Sequence, residues 1–141
     1  MRAARQAIDN SGVPVVLTAR CEAGLVGHPD AIGVAIERLV AFAEAGADCL
    51  FAPGLGRPED LAAIIKAVAP KPVNVLASNN PALPAARLAD MGVRRISLGS
   101  SLARVAWHAF IRTAQGIAEE GTFDALSQAA PFSDLDQVFG A

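Results

Sequence analysis

The chain has 141 residues, 52% of them hydrophobic and 18% charged, with a formal net charge of −2. This composition is typical of a globular domain and provides no basic field for nucleic acid or anionic lipid. No apolar run approaches the roughly 20 residues of a transmembrane helix. From the charge and from this observation we expect neither a nucleic acid nor a membrane as partner. Cys21 and Cys49 are too far apart for a metal knuckle or a redox pair, which favours a reduced cytoplasmic protein.

Four apolar segments alternate with helix-like segments along the chain. Strands are predicted over residues 15–20, 49–52, 73–77 and 95–99. Strands that alternate with helices pair in parallel, because each return to the same edge needs a crossover helix. Their near-continuous apolar character predicts that both faces are buried. The sequence therefore predicts an α/β fold with four βα units, half the number in a TIM (βα)8 barrel.

The helices follow the same order. Residues 2–10 are predicted to be the end of a helix, stopped at Gly12, which suggests the helix of a preceding βα unit. Further helices are predicted to begin at Pro29-Asp30, at Pro58, at Pro84 and at Ser100 or Ser101, with a short helix over residues 123–129. We expect one partial barrel domain over residues 1–141, in which residues 122–141 form a C-terminal helix and an apolar tail.

The active face of a βα barrel lies at the C-terminal strand ends, and Arg20 ends the first strand. Its guanidinium can serve as a fork for a carboxylate or phosphonate, or it can form a salt bridge with Glu22 or a neighbouring strand. Alternation places Thr18, Arg20 and Glu22 on one face of the strand. Cys21 then faces the helices, so a small buried residue is favoured over a nucleophile.

The other strand ends carry weaker signals. Residues 52–56 match no phosphate-binding pattern and predict a tight turn. Ser78, with Asn79, Asn80 and Pro81, offers polar groups to a ligand, although a turn is favoured. Residues 99–101 suit an anion site or a helix cap equally well. His28 and His108 have no partner in sequence and are interpreted as surface or packing residues.

Four stretches at these strand ends, residues 15–23, 43–55, 72–77 and 92–100, resemble the isocitrate lyase/phosphoenolpyruvate mutase family in family order. The resemblance runs to about residue 120 and implies βα units five to eight, the C-terminal half of the barrel. It implies a magnesium-dependent enzyme that breaks a C–C or P–C bond of a small 2-hydroxy or 2-oxo carboxylate through an enolate. Arg20 and Glu22 are the implied catalytic residues, and Arg20, Asn74 and Ser78 the implied contacts for a carboxylate or phosphonate substrate.

The sequence also departs from the family. The family's metal-binding acids and its mobile catalytic loop lie on the first four βα units, so no metal ligand is assigned here. The Glu of the lyases and the His of the mutases, near Ala52-Pro53, are both lacking. Three interpretations stay open: an enzyme, a truncated non-catalytic half-barrel, or an assembly module whose other half comes from another chain. Two unpaired strand edges predict a homo-oligomer.

Overall fold

A computed structural model describes residues 1–79 and 82–140, so Asn80 and Pro81 of the predicted turn lie outside the described residues. The chain divides into two compact units, Met1–Gly99 and Ser100–Ala141. Each unit is described by itself below.

The first unit contains a parallel sheet of four strands whose spatial order is their order in the chain, which confirms the predicted topology. Its elements in chain order are α1 (Arg2–Ser11), β1 (Thr18–Arg20), α2 (Ala31–Glu44), β2 (Cys49–Phe51), α3 (Pro58–Val68), β3 (Val73–Leu76), a 3₁₀ turn (Ala77–Asn79), α4 (Ala85–Asp90) and β4 (Arg95–Ser97).

All four strands are shorter than predicted, β1 by three residues, β4 by two, and β2 and β3 by one each. Val15 and Val16 precede β1 and are 48% and 70% exposed. Thr18 is paired with Cys49, the first residue of β2, so the residues further upstream have no neighbouring strand on that side. At the other edge of the sheet, β4 ends at Ser97 because its partner Leu76 is the last residue of β3. Strand length here is set by the partner strand rather than by the apolar run.

The core lies on the side of the sheet that the helices cover. Two of the helices that cover it have clear start signals. Asp30 is the N-cap of α2, and its carboxylate accepts a hydrogen bond from the Gly33 N–H at 3.1 Å. Pro58 occupies the first turn of α3. The strands contribute Ala19, Leu50, Val73 and Val75 to this core, and the helices contribute Ala35, Leu39, Leu61, Ile64, Val68 and Leu88.

The expectation that both faces of every strand are buried is wrong for β4. Arg95 and Ile96 are exposed, and Arg20 at the end of β1 is exposed as well. In a barrel the face opposite the helices is buried by the strands across the axis, and four strands cannot close around that axis. The exposure of Arg20 and Arg95 on that face follows from the strand number, whereas Ile96, the partner of the core residue Val75, is exposed on the helix side.

Asp48 joins three elements at the N-terminal edge of the sheet. Its Oδ2 accepts a hydrogen bond from the Leu17 N–H at 2.7 Å and lies 2.9 Å from Arg5 Nη1 of α1. The hydrogen bond from Leu17, with the charge of Arg5, holds the pKa of the Asp48 carboxyl below its usual range. The carboxylate thus connects α1, the entry to β1 and the entry to β2.

The loops that follow β1 and β2 touch through two glycines. A Cβ on Gly24 would lie 2.7 Å from the Pro53 carbonyl oxygen, and one on Gly54 would lie 2.6 Å from the Gly24 carbonyl carbon. Gly54 also has a φ of 85°, within the turn predicted over residues 52–56. The two loops can pack backbone to backbone only because neither glycine carries a side chain.

The second unit consists of α5 (Ser101–Glu120), a 3₁₀ turn (Asp124–Gln128) and α6 (Phe132–Phe139). Ser100 is the N-cap of α5, but its side chain makes no capping hydrogen bond. The short helix predicted over residues 123–129 is instead the 3₁₀ turn, and α6 lies in the predicted tail. Within the described part of this unit no residue is buried, and its exposed apolar residues include Leu102, Val105, Trp107, Phe110, Phe132 and Phe139. None of the helices in the described ranges meets the length and hydropathy that crossing a membrane requires.

We predict that Asp48→Asn lowers the thermal stability of the chain at neutral pH. A carboxyl whose pKa is lowered by folding contributes stability above its unfolded pKa, about pH 4, and loses it as the pH falls through the lowered, folded-state pKa. The difference in Tm between wild type and Asp48→Asn should therefore disappear on acidification. Circular dichroism melts from pH 7 to pH 2 measure it. Asp9→Asn, which removes only the exposed pair with Arg5, is the control, and an equal loss from both variants would contradict the role of Asp48.

We predict that Gly24→Ala destabilises the chain by about 1–3 kcal/mol, because the added methyl group must displace backbone atoms of the neighbouring loop. Gly116→Ala in α5 is the matched control: its Cβ would meet nothing within 4 Å, so helix propensity should stabilise it by about 0.5–1 kcal/mol. Urea unfolding of the three proteins gives both values. Wild-type stability of Gly24→Ala would show that the loops separate without cost.

Candidate functional site

One row of cross-strand neighbours defines the face of the sheet opposite the helices. Arg20 is paired with Phe51, Phe51 with Asn74, and Asn74 with Arg95. Side chains alternate between faces along a strand, and on β1, β2 and β3 the residues adjacent to this row lie in the helix-covered core. We call the opposite surface the open face; it carries Thr18, Arg20, Cys49, Phe51, Asn74, Leu76, Arg95 and Ser97.

Arg20 lies where the sequence predicts, as the last residue of β1. Its Nε donates a hydrogen bond to Glu22 Oε1, and its guanidinium carbon lies 5.9 Å from the centre of the Phe51 ring. The hydrogen bond and the charge of Glu22 raise the pKa of Arg20 further, so it stays cationic. The side chains of Arg20 and Glu22 are 52% and 45% exposed, which leaves the guanidinium within reach of a ligand. The sequence left two roles open for Arg20, an anion fork and a salt bridge. The structure shows the salt bridge, with Glu22, on a guanidinium that is still accessible to an anion.

The two cysteines are buried and unsuited to nucleophilic attack. Cys21 is 2% exposed and belongs to the helix-side core, as alternation predicts. Cys49 is 3% exposed and begins β2, away from the C-terminal edge. Burial raises the pKa of the Cys49 thiol, and the charge of Arg95 only partly offsets this. A thiol must be deprotonated to act as a nucleophile, so this environment opposes a catalytic role.

Asn74 is the centre of a polar network that the sequence did not show. Its Oδ1 accepts a hydrogen bond from Arg95 Nη1 at 3.1 Å, and its Nδ2 donates to Ser97 Oγ at 3.1 Å. The Ser97 hydroxyl lies 3.4 Å from the Val75 carbonyl oxygen. Asn74 itself is only 2% exposed. The network orients Arg95 on the open face.

Ser78 lies apart from this network. It is exposed in the 3₁₀ turn that follows β3, beyond the C-terminal edge of the strand. In the described part of the chain, no side-chain hydrogen bond joins Ser78 to Arg20 or Asn74. The structure thus brings Arg20 together with Glu22, and Asn74 with Arg95 and Ser97, but does not unite all the predicted residues in one cluster.

A magnesium site does not fit the residues that the structure describes. Over residues 1–79 and 82–140 there is no group of three or more His, Cys, Asp or Glu side chains that could hold a metal ion. Glu22, a carboxylate just beyond the C-terminal end of β1, is engaged by Arg20. Mg²⁺ prefers several converging oxygen ligands, so these side chains alone do not provide its site.

Comparison with known proteins identifies the fold. The model of the phosphoenolpyruvate phosphomutase family matches residues 1–118. An uncharacterized protein of Mycobacterium tuberculosis H37Rv is 31% identical over 100 residues, which are 71% of this chain and 36% of the relative. A provisionally named lyase/mutase from Burkholderia cenocepacia J2315 is 41% identical with a TM-score of 0.90, over 99% of this chain and 50% of that one.

A structure named 2,3-dimethylmalate lyase, a member of the phosphoenolpyruvate mutase/isocitrate lyase superfamily, superposes with a TM-score of 0.78 at 26% identity. The match covers 97% of this chain and 48% of that one. The chain thus spans about a third of the curated relatives that it matches and about half of these solved structures. The four parallel strands with their helices correspond to half of a TIM barrel, and the chain belongs to the phosphoenolpyruvate mutase/isocitrate lyase family.

Proposed function

We propose that this chain supplies the anion-binding half of a lyase or mutase barrel that acts on a small 2-hydroxy or 2-oxo carboxylate. The reaction would break a C–C or P–C bond through an enolate. The observation that carries the proposal is the exposed guanidinium of Arg20 at the C-terminal end of a parallel strand in a chain of this family. Structural relatives named 2,3-dimethylmalate lyase and phosphoenolpyruvate phosphomutase support this substrate class.

Arg20 is the proposed fork for the anionic end of the substrate. A guanidinium presents parallel N–H donors that match the two oxygens of a carboxylate or phosphonate. Glu22 occupies one of these donors in the free chain and keeps the guanidinium over the Phe51 ring. An incoming carboxylate therefore exchanges with Glu22, so the charge of Arg20 is never left without a partner.

Asn74 and Ser78 take different parts in this proposal. The buried Asn74 amide is engaged by Arg95 and Ser97, so its part is to position the polar groups of the open face. Ser78 is exposed beyond the end of β3, where its hydroxyl is free to meet a substrate held at the C-terminal edge.

Mg²⁺ is expected for the full-length family, where it would stabilise the oxygens of the enolate. The side chains described in this chain do not fit that ion, and no step is assigned to it here. The same observation favours a second candidate function, a non-catalytic half-barrel or assembly module. We therefore propose that the chain alone is inactive.

We also propose a cytoplasmic location and a homo-oligomeric assembly. The two edge strands and the exposed apolar residues of α5 support the assembly.

We predict that the chain binds oxalate, a small dicarboxylate, weakly through Arg20. Arg20→Ala should abolish binding, whereas Arg38→Ala, which removes an exposed arginine of α2, should leave it unchanged. Glu22→Gln should strengthen binding by about two- to fivefold because the competing carboxylate is removed. Calorimetric titration measures the three effects. Oxalate binding that survives Arg20→Ala would place the anion elsewhere.

We predict no release of pyruvate or glyoxylate when the purified chain is mixed with Mg²⁺ and 2-alkylmalates or isocitrates. One half of the barrel holds the anion but does not stabilise the charge of an enolate. The assay is coupled to a lactate dehydrogenase, with added pyruvate and glyoxylate as positive controls. Metal-dependent turnover that Arg20→Ala abolishes would overturn the inactive proposal and establish the chain as an enzyme.

We predict that the isolated chain self-associates. The exposed apolar side chains of α5 and α6 and the edges of β1 and β4 are costly to leave in water. Multi-angle light scattering should give a mass above that of the 14.5 kDa monomer. A monodisperse monomer at high concentration would contradict homo-oligomer formation.

A further inference from the structure

Arg57 and Asp60 form a bidentate ion pair where the loop between β2 and α3 ends. This β2–α3 loop covers residues 52–57, and Arg57 directly precedes α3. Arg57 Nε and Nη2 donate hydrogen bonds to the two oxygens of the Asp60 carboxylate, each at 2.8 Å. The Asp60 side chain is only 8% exposed, and Arg57 compensates its charge. Two bonds in a planar fork therefore hold the end of the loop in one position against α3.

The other end of the β2–α3 loop borders the Arg20–Glu22 pair. Phe51 is the last residue of β2, and its ring centre lies 5.9 Å from the Arg20 guanidinium carbon. The Phe51 carbonyl oxygen accepts a hydrogen bond from the Cys21 N–H at 2.9 Å. Cys21 lies between Arg20 and Glu22 in the chain, so the loop begins at the residue that holds the backbone between the two charges.

A backbone contact also joins the middle of the loop to the residues that follow β1. Gly54 and Gly24 approach so closely that a Cβ on Gly24 would lie 2.7 Å from the Pro53 carbonyl oxygen. Gly24 belongs to a turn in which the Glu22 carbonyl oxygen accepts a hydrogen bond from the Leu25 N–H at 2.9 Å. A displacement of the β2–α3 loop is therefore transmitted to the backbone that carries the Glu22 carboxylate.

We propose that Arg57 and Asp60 are positioning residues of the anion site, because their pair fixes the β2–α3 loop and thereby holds the Glu22 carboxylate against Arg20. The inference rests on the proposed function, in which an incoming carboxylate exchanges with Glu22. A carboxylate held in place competes more strongly for a guanidinium than a mobile one, since less conformational entropy is lost when it pairs. The ion pair at the end of the loop thus lowers the affinity of Arg20 for a ligand anion.

Calorimetric titration of the complete chain with oxalate tests this inference through Arg57→Met. We expect Arg57→Met to bind oxalate about two- to threefold more tightly than wild type, within the increase expected of Glu22→Gln. Loss of a positive charge alone would weaken anion binding, so a gain in affinity reports the release of Glu22. In a Glu22→Gln background the same substitution should change the affinity by less than about 1.5-fold, because no competing carboxylate remains.

The control variant is Glu59→Gln, which removes the exposed carboxylate 3.4 Å from Arg57 and leaves the pair with Asp60 intact. It should bind oxalate as wild type does. Arg57→Lys keeps the charge but not the planar fork, so it should fall between wild type and Arg57→Met.

The Nε–H resonance of Arg20 in the ligand-free chain is a readout that a role in folding alone would not move. Its disappearance in Arg20→Ala assigns it. Glu22→Gln should shift this resonance by removing the charged acceptor, and Arg57→Met should shift it part of the way in the same direction. Glu59→Gln should leave it in place.

Thermal melts followed by circular dichroism show which variants are folded. If Arg57→Met does not fold because Asp60 is left buried and unpaired, the double variant Arg57→Met with Asp60→Asn removes the buried charge and is measured in its place. If neither folds, a partial shift of the Arg20 resonance in Arg57→Lys supports the proposal, and an unchanged resonance contradicts it.

An unchanged Arg20 resonance, weaker oxalate binding, or an equal gain in affinity in the Glu22→Gln background would overturn the positioning role in any folded variant without Arg57. Failure of the anion site itself has a different signature: oxalate would bind neither wild type nor Glu22→Gln. In that case a shifted Arg20 resonance in Arg57→Met would still support the positioning of Glu22.

Discussion

The alternation of side chains in four in-register parallel strands determines most of what this chain can do. Because paired residues share a face, Ala19, Leu50 and Val73 all meet the helices. The residues one position further along each strand, Arg20, Phe51 and Asn74, all face the other way. A shift of one residue in any strand would bury charge in the helix-side core and expose its apolar residues. Core packing and the chemistry of the open face therefore depend on the same register.

The sequence was sufficient for the order and direction of the strands and for the position of Arg20. Apolar runs between helix signals predict the strands. Pro29-Asp30 and Pro58 mark where α2 and α3 begin. The length of β1 was not predictable in this way, because it depends on where β2 begins to pair. Helix α6 was missed because an apolar tail predicts burial as readily as it predicts a helix.

The polar network was beyond the reach of sequence analysis for a related reason. Asn74 and Arg95 are 21 positions apart, and only the register between β3 and β4 makes them neighbours. The pair Arg94-Arg95 offers a signal in retrospect, since alternation requires the two side chains to point to opposite faces. Which of them faces the barrel axis follows from pairing, and pairing is a tertiary property.

The two faces of the sheet carry different properties of this chain, the family fold on one and the proposed anion site on the other. The helix-covered side of the sheet is buried over β1, β2 and β3, whereas the open face carries Arg20 and Arg95, with Glu22 just beyond the end of β1. A barrel of this family needs both sides, one to hold the helices and one to hold the reacting groups. Arg20 is the proposed anion fork of the open face, and Asn74 orients the second cation, Arg95.

The proposed anion site requires that the Arg20 guanidinium bind a ligand anion, and the side-chain Nε–H resonances of the arginines report this binding by NMR. We expect one arginine signal, removed by Arg20→Ala, to shift progressively as oxalate is added, while the signal of Arg57, paired with Asp60, stays in place. Such a result would show that a ligand anion exchanges with Glu22 at the C-terminal strand end. Unchanged Arg20 resonances at saturating oxalate, or equal shifts of every arginine, would contradict the assignment of this edge as the anion site.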